Sequence, residues 1–139
     1  MIPPVNPNLV PLVVAVFVQI IIGFLWYSPM LFMNQWLKLS GKKLSDLQKG
    51  KADMPKTYFW MILGTIVLTY GLAHVLSYAG AKNLMDGLVV GFMTWLTFIA
   101  TTSANSVLFE GKPFKLYLLN NGHVLAGILA ASAILVSVR

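Results

Sequence analysis

Five side chains stand out for the chemistry they could do within otherwise apolar sequence: Gln19, Asn105, Asn120, Asn121 and His123. An imidazole titrates near neutral pH and can carry a proton. Amides donate and accept hydrogen bonds at once. Thr101, Thr102, Ser103 and Ser106 add hydroxyls nearby. Such a set fits two roles. It can line a polar cavity or part of a solute path, or it can be interhelical glue, in which Asn, Gln, His and Thr hydrogen-bond between membrane helices. Glue is the commoner use.

Sharper chemistry finds little support. A Ser/His/acid set can be assembled on paper from Ser106, His123 and Glu110, but nothing in the spacing makes it specific. The chain has no cysteine, which removes disulfides, thiolate catalysis and Cys-ligated metals. No nucleotide loop, metal-ligand string or nucleophile motif is present. No Asp or Glu lies inside an apolar tract, which argues against a proton-coupled transporter built on a buried carboxylate. The sequence therefore assigns no catalytic residue, metal or cofactor, and no enzyme activity.

The elements that carry these residues are read from where charge is missing. Only 10% of the side chains are charged and 58% are hydrophobic, against about 25% charged in an ordinary soluble domain. Asp, Glu, Lys and Arg are absent from 1–37, 57–81, 87–109 and 116–138. A membrane helix needs roughly 20 apolar residues, so each tract holds one. The expected fold is all-α and polytopic, a single four-helix transmembrane domain with spans at about 9–28, 57–78, 87–109 and 114–138. Four such helices leave no polar face for water.

Local signals set the ends. Pro11 falls in the first turn of span one, where a missing N–H costs little. Pro29 closes that span. Asp86 can cap span three, and Gly80 ends span two. Trp26 and Tyr27 sit where amphipathic rings favour the headgroup level. Between spans one and two, Met30–Leu39, with Trp36, reads either as an amphipathic interfacial segment or as an extension of the first helix past a kink. Ser45 followed by Gln48 makes a weak capping box, predicting a short helical turn near Asp46–Lys49 limited by Gly50 and Pro55.

Orientation follows from the basic residues. Lys38, Lys42, Lys43, Lys49, Lys51 and Lys56 lie in loop 29–56, and Lys112 and Lys115 lie near the loop 110–115. Only Lys82 and Arg139 lie on the other side. Both loops are expected in the cytoplasm, with both termini outside. The formal charge of +6 points to anionic lipid at the lysine-rich loop and not to nucleic acid.

Depth follows from a rise of 1.5 Å per residue. From the cytoplasmic end, Asn105 lies about 5 Å in, Asn120 and Asn121 about 6–8 Å, His123 about 11 Å and Gln19 about 14 Å. These five are expected to form one cluster. His74, at about 25 Å, stands apart, which argues against a His–His metal site. His123 is expected to face protein, with Asn105 or Gln19 as its partner and Gly122 allowing close approach. Glu110 is expected at the interface, paired with Lys112 or Lys115. Gly87 and Gly91 form GxxxG, Gly122, Ala126 and Ala130 line one face of span four, and Gly127 with Ala131 lines another. Such faces pack helices closely, within the chain or between copies.

Three tracts carry a likeness: GFLWYSPMLFMNQW (Gly23 to Trp36), AHVLSYAGAKNLMDG (Ala73 to Gly87) and NSVLFEGKPFKLYLLNNG (Asn105 to Gly122). They resemble an uncharacterised family of small bacterial membrane proteins, the domain-of-unknown-function family numbered 1761. The resemblance covers nearly the whole chain. It implies a four-helix membrane protein and supplies no activity, cofactor or partner. The functional expectation is a self-associating scaffold or accessory subunit, working as a homo-oligomer or with a membrane protein partner. The alternative is an oligomeric small-solute transporter or channel.

Overall fold

The computed structural model describes residues 2–138, without the side chains of Leu47, Gln48, Lys51 and Ala52. The Ser45–Gln48 capping pair and the charge at Arg139 lie outside the described residues. In chain order the elements are α1 (Leu9–Trp26), α2 (Met33–Ser40), α3 (Leu44–Lys49), a 3₁₀ turn (Gly50–Asp53), α4 (Met54–Tyr78), α5 (Leu84–Thr94), a π-helical segment (Trp95–Ala100), α6 (Thr101–Ser103), α7 (Asn105–Leu108) and α8 (Phe114–Ser137). No strand occurs among the described residues. Elements α5 to α7 with the π segment make one long helix, Leu84–Leu108, and four helices are long and apolar enough to cross a membrane.

The helix ends differ from the expected ones for identifiable reasons. Asn8 caps α1 by accepting from the Val10 N–H. That helix stops at Trp26, two residues before the expected Ser28, and the Ser28 hydroxyl donates back to the Leu25 carbonyl at 2.7 Å. Helix α4 starts at Met54 instead of Thr57 because Pro55 occupies its first turn, where proline's missing N–H is no loss. Pro55 thus begins a helix and does not merely limit the one before. The third long helix starts at Leu84, with Asn83 as its cap accepting from the Asp86 N–H at 2.9 Å. Asp86, expected as the cap, instead reaches back to the Lys82 N–H at 3.1 Å. Helix α2 is separate from α1: a stretch of turns intervenes from Tyr27 to Phe32, and Gly41 ends α2 at φ 72. In α3, Asp46 accepts from the Lys43 N–H at 2.9 Å.

Helix α8 is the central element. Of its most apolar window 44% is buried inside the chain, against 17% for each of the other three long helices. It packs between α1 and α5, while α4 leans on α1. The glycines explain the α5 contact. A Cβ on Gly87 would sit 2.8 Å from Val136 Cγ2, and one on Gly91 would collide with Ser132 Oγ. The GxxxG pair therefore seats α8 within the chain. On α8 the buried row is Gly127, Ile128, Ala131, Ser132, Leu135 and Val136, whereas Ala126 and Ala130 are only half-buried.

The main apolar cluster lies towards one end. Ala15, Leu72, Leu76, Ile128, Ala131 and Leu135 form it, and they belong to the half remote from the lysine-rich loop. Towards that loop α4 has little company: Pro55 to Gly64 are exposed without interruption, which on a helix means every face.

Candidate functional site

The structure sorts the polar groups into separate hydrogen-bonded sets. Gln19 is buried on α1, and its amide donates to Thr69 Oγ1 at 2.6 Å and to the Ala15 carbonyl at 3.1 Å. Thr69 in turn donates to the Thr65 carbonyl at 2.7 Å. This set ties α1 to α4.

A second set ties α1 to α8. The Trp26 indole donates to the Leu119 carbonyl at 3.0 Å, and the Tyr27 hydroxyl donates to Asn120 Oδ1 at 2.7 Å. The Trp26 ring lies on Gly122, where an added Cβ would stand 3.1 Å from Cζ2. Both aromatics direct their polar tips into the protein, which satisfies groups that lipid cannot. Trp26 also meets Phe32 in a tilted ring contact at 4.8 Å, and Tyr27 meets the Trp36 ring edge-on at 6.2 Å. Lys42 Nζ lies 5.4 Å from the Trp36 ring centre.

The third set surrounds the π segment. Asn121 is buried; its Oδ1 accepts from Ser103 at 2.8 Å and its amide donates to the Tyr117 carbonyl at 2.9 Å. Its backbone carbonyl accepts from the Trp95 indole at 3.0 Å, and the Tyr117 hydroxyl donates to the Ala100 carbonyl at 2.6 Å. A π turn widens the helix and disturbs its i→i−4 ladder. Side chains of α8 and of the segment itself take up bonds across the gap.

The expected single cluster is therefore divided. Asn105 is exposed and its side chain makes no hydrogen bond among the described residues. His123 faces α1, as its neighbours show: its ring centre is 5.2 Å from that of Tyr27 and 6.3 Å from that of Trp26. The glycine that admits it is Gly23 on α1, whose added Cβ would lie 3.1 Å from His123 Nε2. Gly122, expected to play that part, receives Trp26. Neither Gln19 nor Asn105 bonds to His123. The imidazole makes no hydrogen bond to any described residue and instead borders a cavity of about 340 Å³ with Gln19, Tyr27, Tyr58 and Thr65.

Glu110 borders a different cavity, of about 460 Å³, with Ser106, Asn105, Asn120 and Lys112. Its carboxylate pairs with Lys112 Nζ at 3.4 Å, both side chains more than half exposed, so the pair contributes under about 1 kcal/mol. Ser106, Glu110 and His123 thus do not share one pocket. A third recess, about 570 Å³, lies between α2 and α8, with Lys38 and Lys115 at its rim and Trp26, Phe32 and Leu119 in its wall. His74 lies elsewhere, its Nδ1 donating to the Tyr70 carbonyl at 2.8 Å.

Trp95, Tyr117 and Thr69 were not singled out from the sequence, whereas Ser103 was among the hydroxyls expected near the cluster and does meet Asn121. Trp95 carried a usable signal: a tryptophan far inside an apolar tract must find an acceptor for its N–H. A family model described as "Protein of unknown function (DUF1761)" matches residues 10–136. No curated protein and no solved structure matches the chain.

Proposed function

The chain belongs to this DUF1761 family, and from that premise we propose that it is a self-associating scaffold or accessory subunit of the bacterial inner membrane, with its lysine-rich loop in the cytoplasm. The observation that carries this reading is an open face along α4. Trp60, Gly64, Val67 and Gly71 follow one another at helical spacing and all are exposed. Nothing lies within 4 Å of a Cβ added at Gly64 or Gly71. In lipid there is no hydrophobic drive between helices, and association depends on close packing that small residues permit. Two glycines seven residues apart, left open while Gly87 and Gly91 are filled from within the chain, offer a second helix the same fit.

A solute path within one chain has less support. The cavities at the lysine end share no lining residue with the recess beside Asn6, Asn8 and Ser77 at the other end, and Leu72, Leu76 and Ile128 are buried in the core. Anionic lipid is the expected neighbour of Lys38 and Lys115, where two cationic side chains from different helices border one recess.

The absence of native cysteine makes the test direct. Val67→Cys should crosslink between copies in native membranes, whereas Phe98→Cys, on another exposed helix face, should not. Gly64→Leu with Gly71→Leu should abolish the Val67→Cys crosslink. A monomeric mass in nanodiscs, with equal and weak crosslinking at both positions, would overturn the proposal.

A further inference from the structure

The cavity beside His123 has polar atoms with nothing to bond. His123 makes no hydrogen bond to a described residue, although a neutral imidazole has one donor and one acceptor to satisfy. Gln19 donates twice through Nε2, while its Oε1 accepts from no described residue. Tyr58, across the cavity on α4, makes a ring contact with Phe24 at 5.9 Å and no hydrogen bond through its hydroxyl. Around these atoms stand Ile20, Phe24 and Met61, which offer only apolar contact. No charged residue lines the space.

Water alone suits this space poorly. The space is about 340 Å³, and an ordered water needs two to four polar partners. The unbonded atoms here would hold a few. The remaining wall asks for hydrocarbon. The cavity also sits where α4 leaves the bundle, since Tyr58 and Met61 belong to its exposed stretch, so one side of the site is made by a helix with few neighbours.

We propose that this cavity binds the neutral, hydroxyl-bearing head of a bilayer amphiphile, of the diacylglycerol type, with the hydroxyl between His123 and Gln19 and the acyl chains against Ile20, Phe24 and Met61. A hydroxyl both donates and accepts, which matches an imidazole without a hydrogen-bond partner and a glutamine side chain lining one space. The lack of any cation disfavours a phosphate, and the lack of any anion disfavours an amine. Gly23 leaves the imidazole room to lie against α1, and both residues line the cavity. The site lies within one chain and does not depend on self-association.

The test uses the full chain in phosphatidylcholine nanodiscs with ¹⁵N-labelled histidine rings. There are two histidines, and His74, bonded to the Tyr70 carbonyl, is the internal reference. Titration with 1,2-dioleoylglycerol should shift the His123 nitrogens saturably and leave His74 unchanged. Trioleoylglycerol, which has no hydroxyl, should give no saturable shift. Met61→Trp, which fills the cavity without touching a hydrogen bond, should weaken the apparent affinity about tenfold or more, equivalent to about 1.4 kcal/mol, with the His74 signal reporting an intact fold. No saturable response to dioleoylglycerol would overturn the proposal. So would an equal response to trioleoylglycerol, or a His123 shift that follows protein density in lipid alone, since a second copy would then be the occupant.

Discussion

Replacing Gly91 by alanine tests the central packing contact of the fold. Ser132 is completely buried, its hydroxyl has no hydrogen-bond partner, and Gly91 lies directly against it. A methyl at Gly91 would collide with Ser132 Oγ and stand 3.1 Å from Ser132 Cβ. The Oγ can move only by changing rotamer within a completely buried site, and Cβ only by shifting α8, which α1 holds on its other side. Overpacking of this kind costs about 1–3 kcal/mol, and the gain from replacing a helical glycine by alanine, roughly 0.5–1 kcal/mol, offsets part of it. Gly91→Ala should therefore destabilise the monomer by about 1–2 kcal/mol. In a Ser132→Gly background both obstructing atoms are gone, and the same change should be neutral or mildly stabilising. The coupling between the two sites is then about 2 kcal/mol, within the range for residues in direct contact. Reversible unfolding in mixed SDS micelles, read as a double-mutant cycle, measures it. Equal costs in the two backgrounds would refute the assignment of the clash to Ser132. A loss of crosslinked dimer with no loss of monomer stability would show that the glycine pair faces another copy.

Three further outcomes follow from the hydrogen-bonded sets. His123→Leu should change monomer stability by less than about 0.5 kcal/mol, below the usual scale of a membrane hydrogen bond, because the imidazole has no protein partner; a loss of 1 kcal/mol or more in the same unfolding assay would reveal one. Asn121→Leu removes the bonds to Ser103 and Tyr117 and should cost about 1 kcal/mol, with Tyr27→Phe costing somewhat less through the bond to Asn120; the reverse order would contradict the burial of Asn121. Lys38→Gln with Lys115→Gln should reduce co-purifying phosphatidylglycerol, quantified by lipid mass spectrometry, while Lys49→Gln should leave it unchanged; equal losses would spread the lipid contact over the whole loop.

The four long helices were legible because charge is absent where they run and present where they end. The separation of α2 from α1 was only half legible, since Pro29 marks a break but does not say whether helix resumes in line. The caps at Asn8 and Asn83 were missed in favour of the more conspicuous Asp86. For the polar residues, depth along each helix was a poor guide to whom they meet. Gln19 and His123 border one cavity without touching, and Asn120 finds Tyr27 and not His123. Depth fixes one coordinate; rotation about the helix axis fixes the partner. In the third long helix that rotation could not be carried along from Gly87 and Gly91, because the π segment has no local sequence signature.

That segment has a consequence for phase. Gly87 and Ser103 both meet α8, one through Val136 and the other through Asn121. They are sixteen residues apart, and at about 100° per residue an unbroken α-helix would set them about 160° out of step, on opposite sides. The wide turn from Trp95 to Ala100 takes more residues per revolution and absorbs most of that lag. It acts as a slip ring between two sections of one rod, keyed to the same neighbour at different angles. A length change of one residue inside it would turn Ser103 and everything beyond it away from α8, while Gly87 and Gly91 stayed seated.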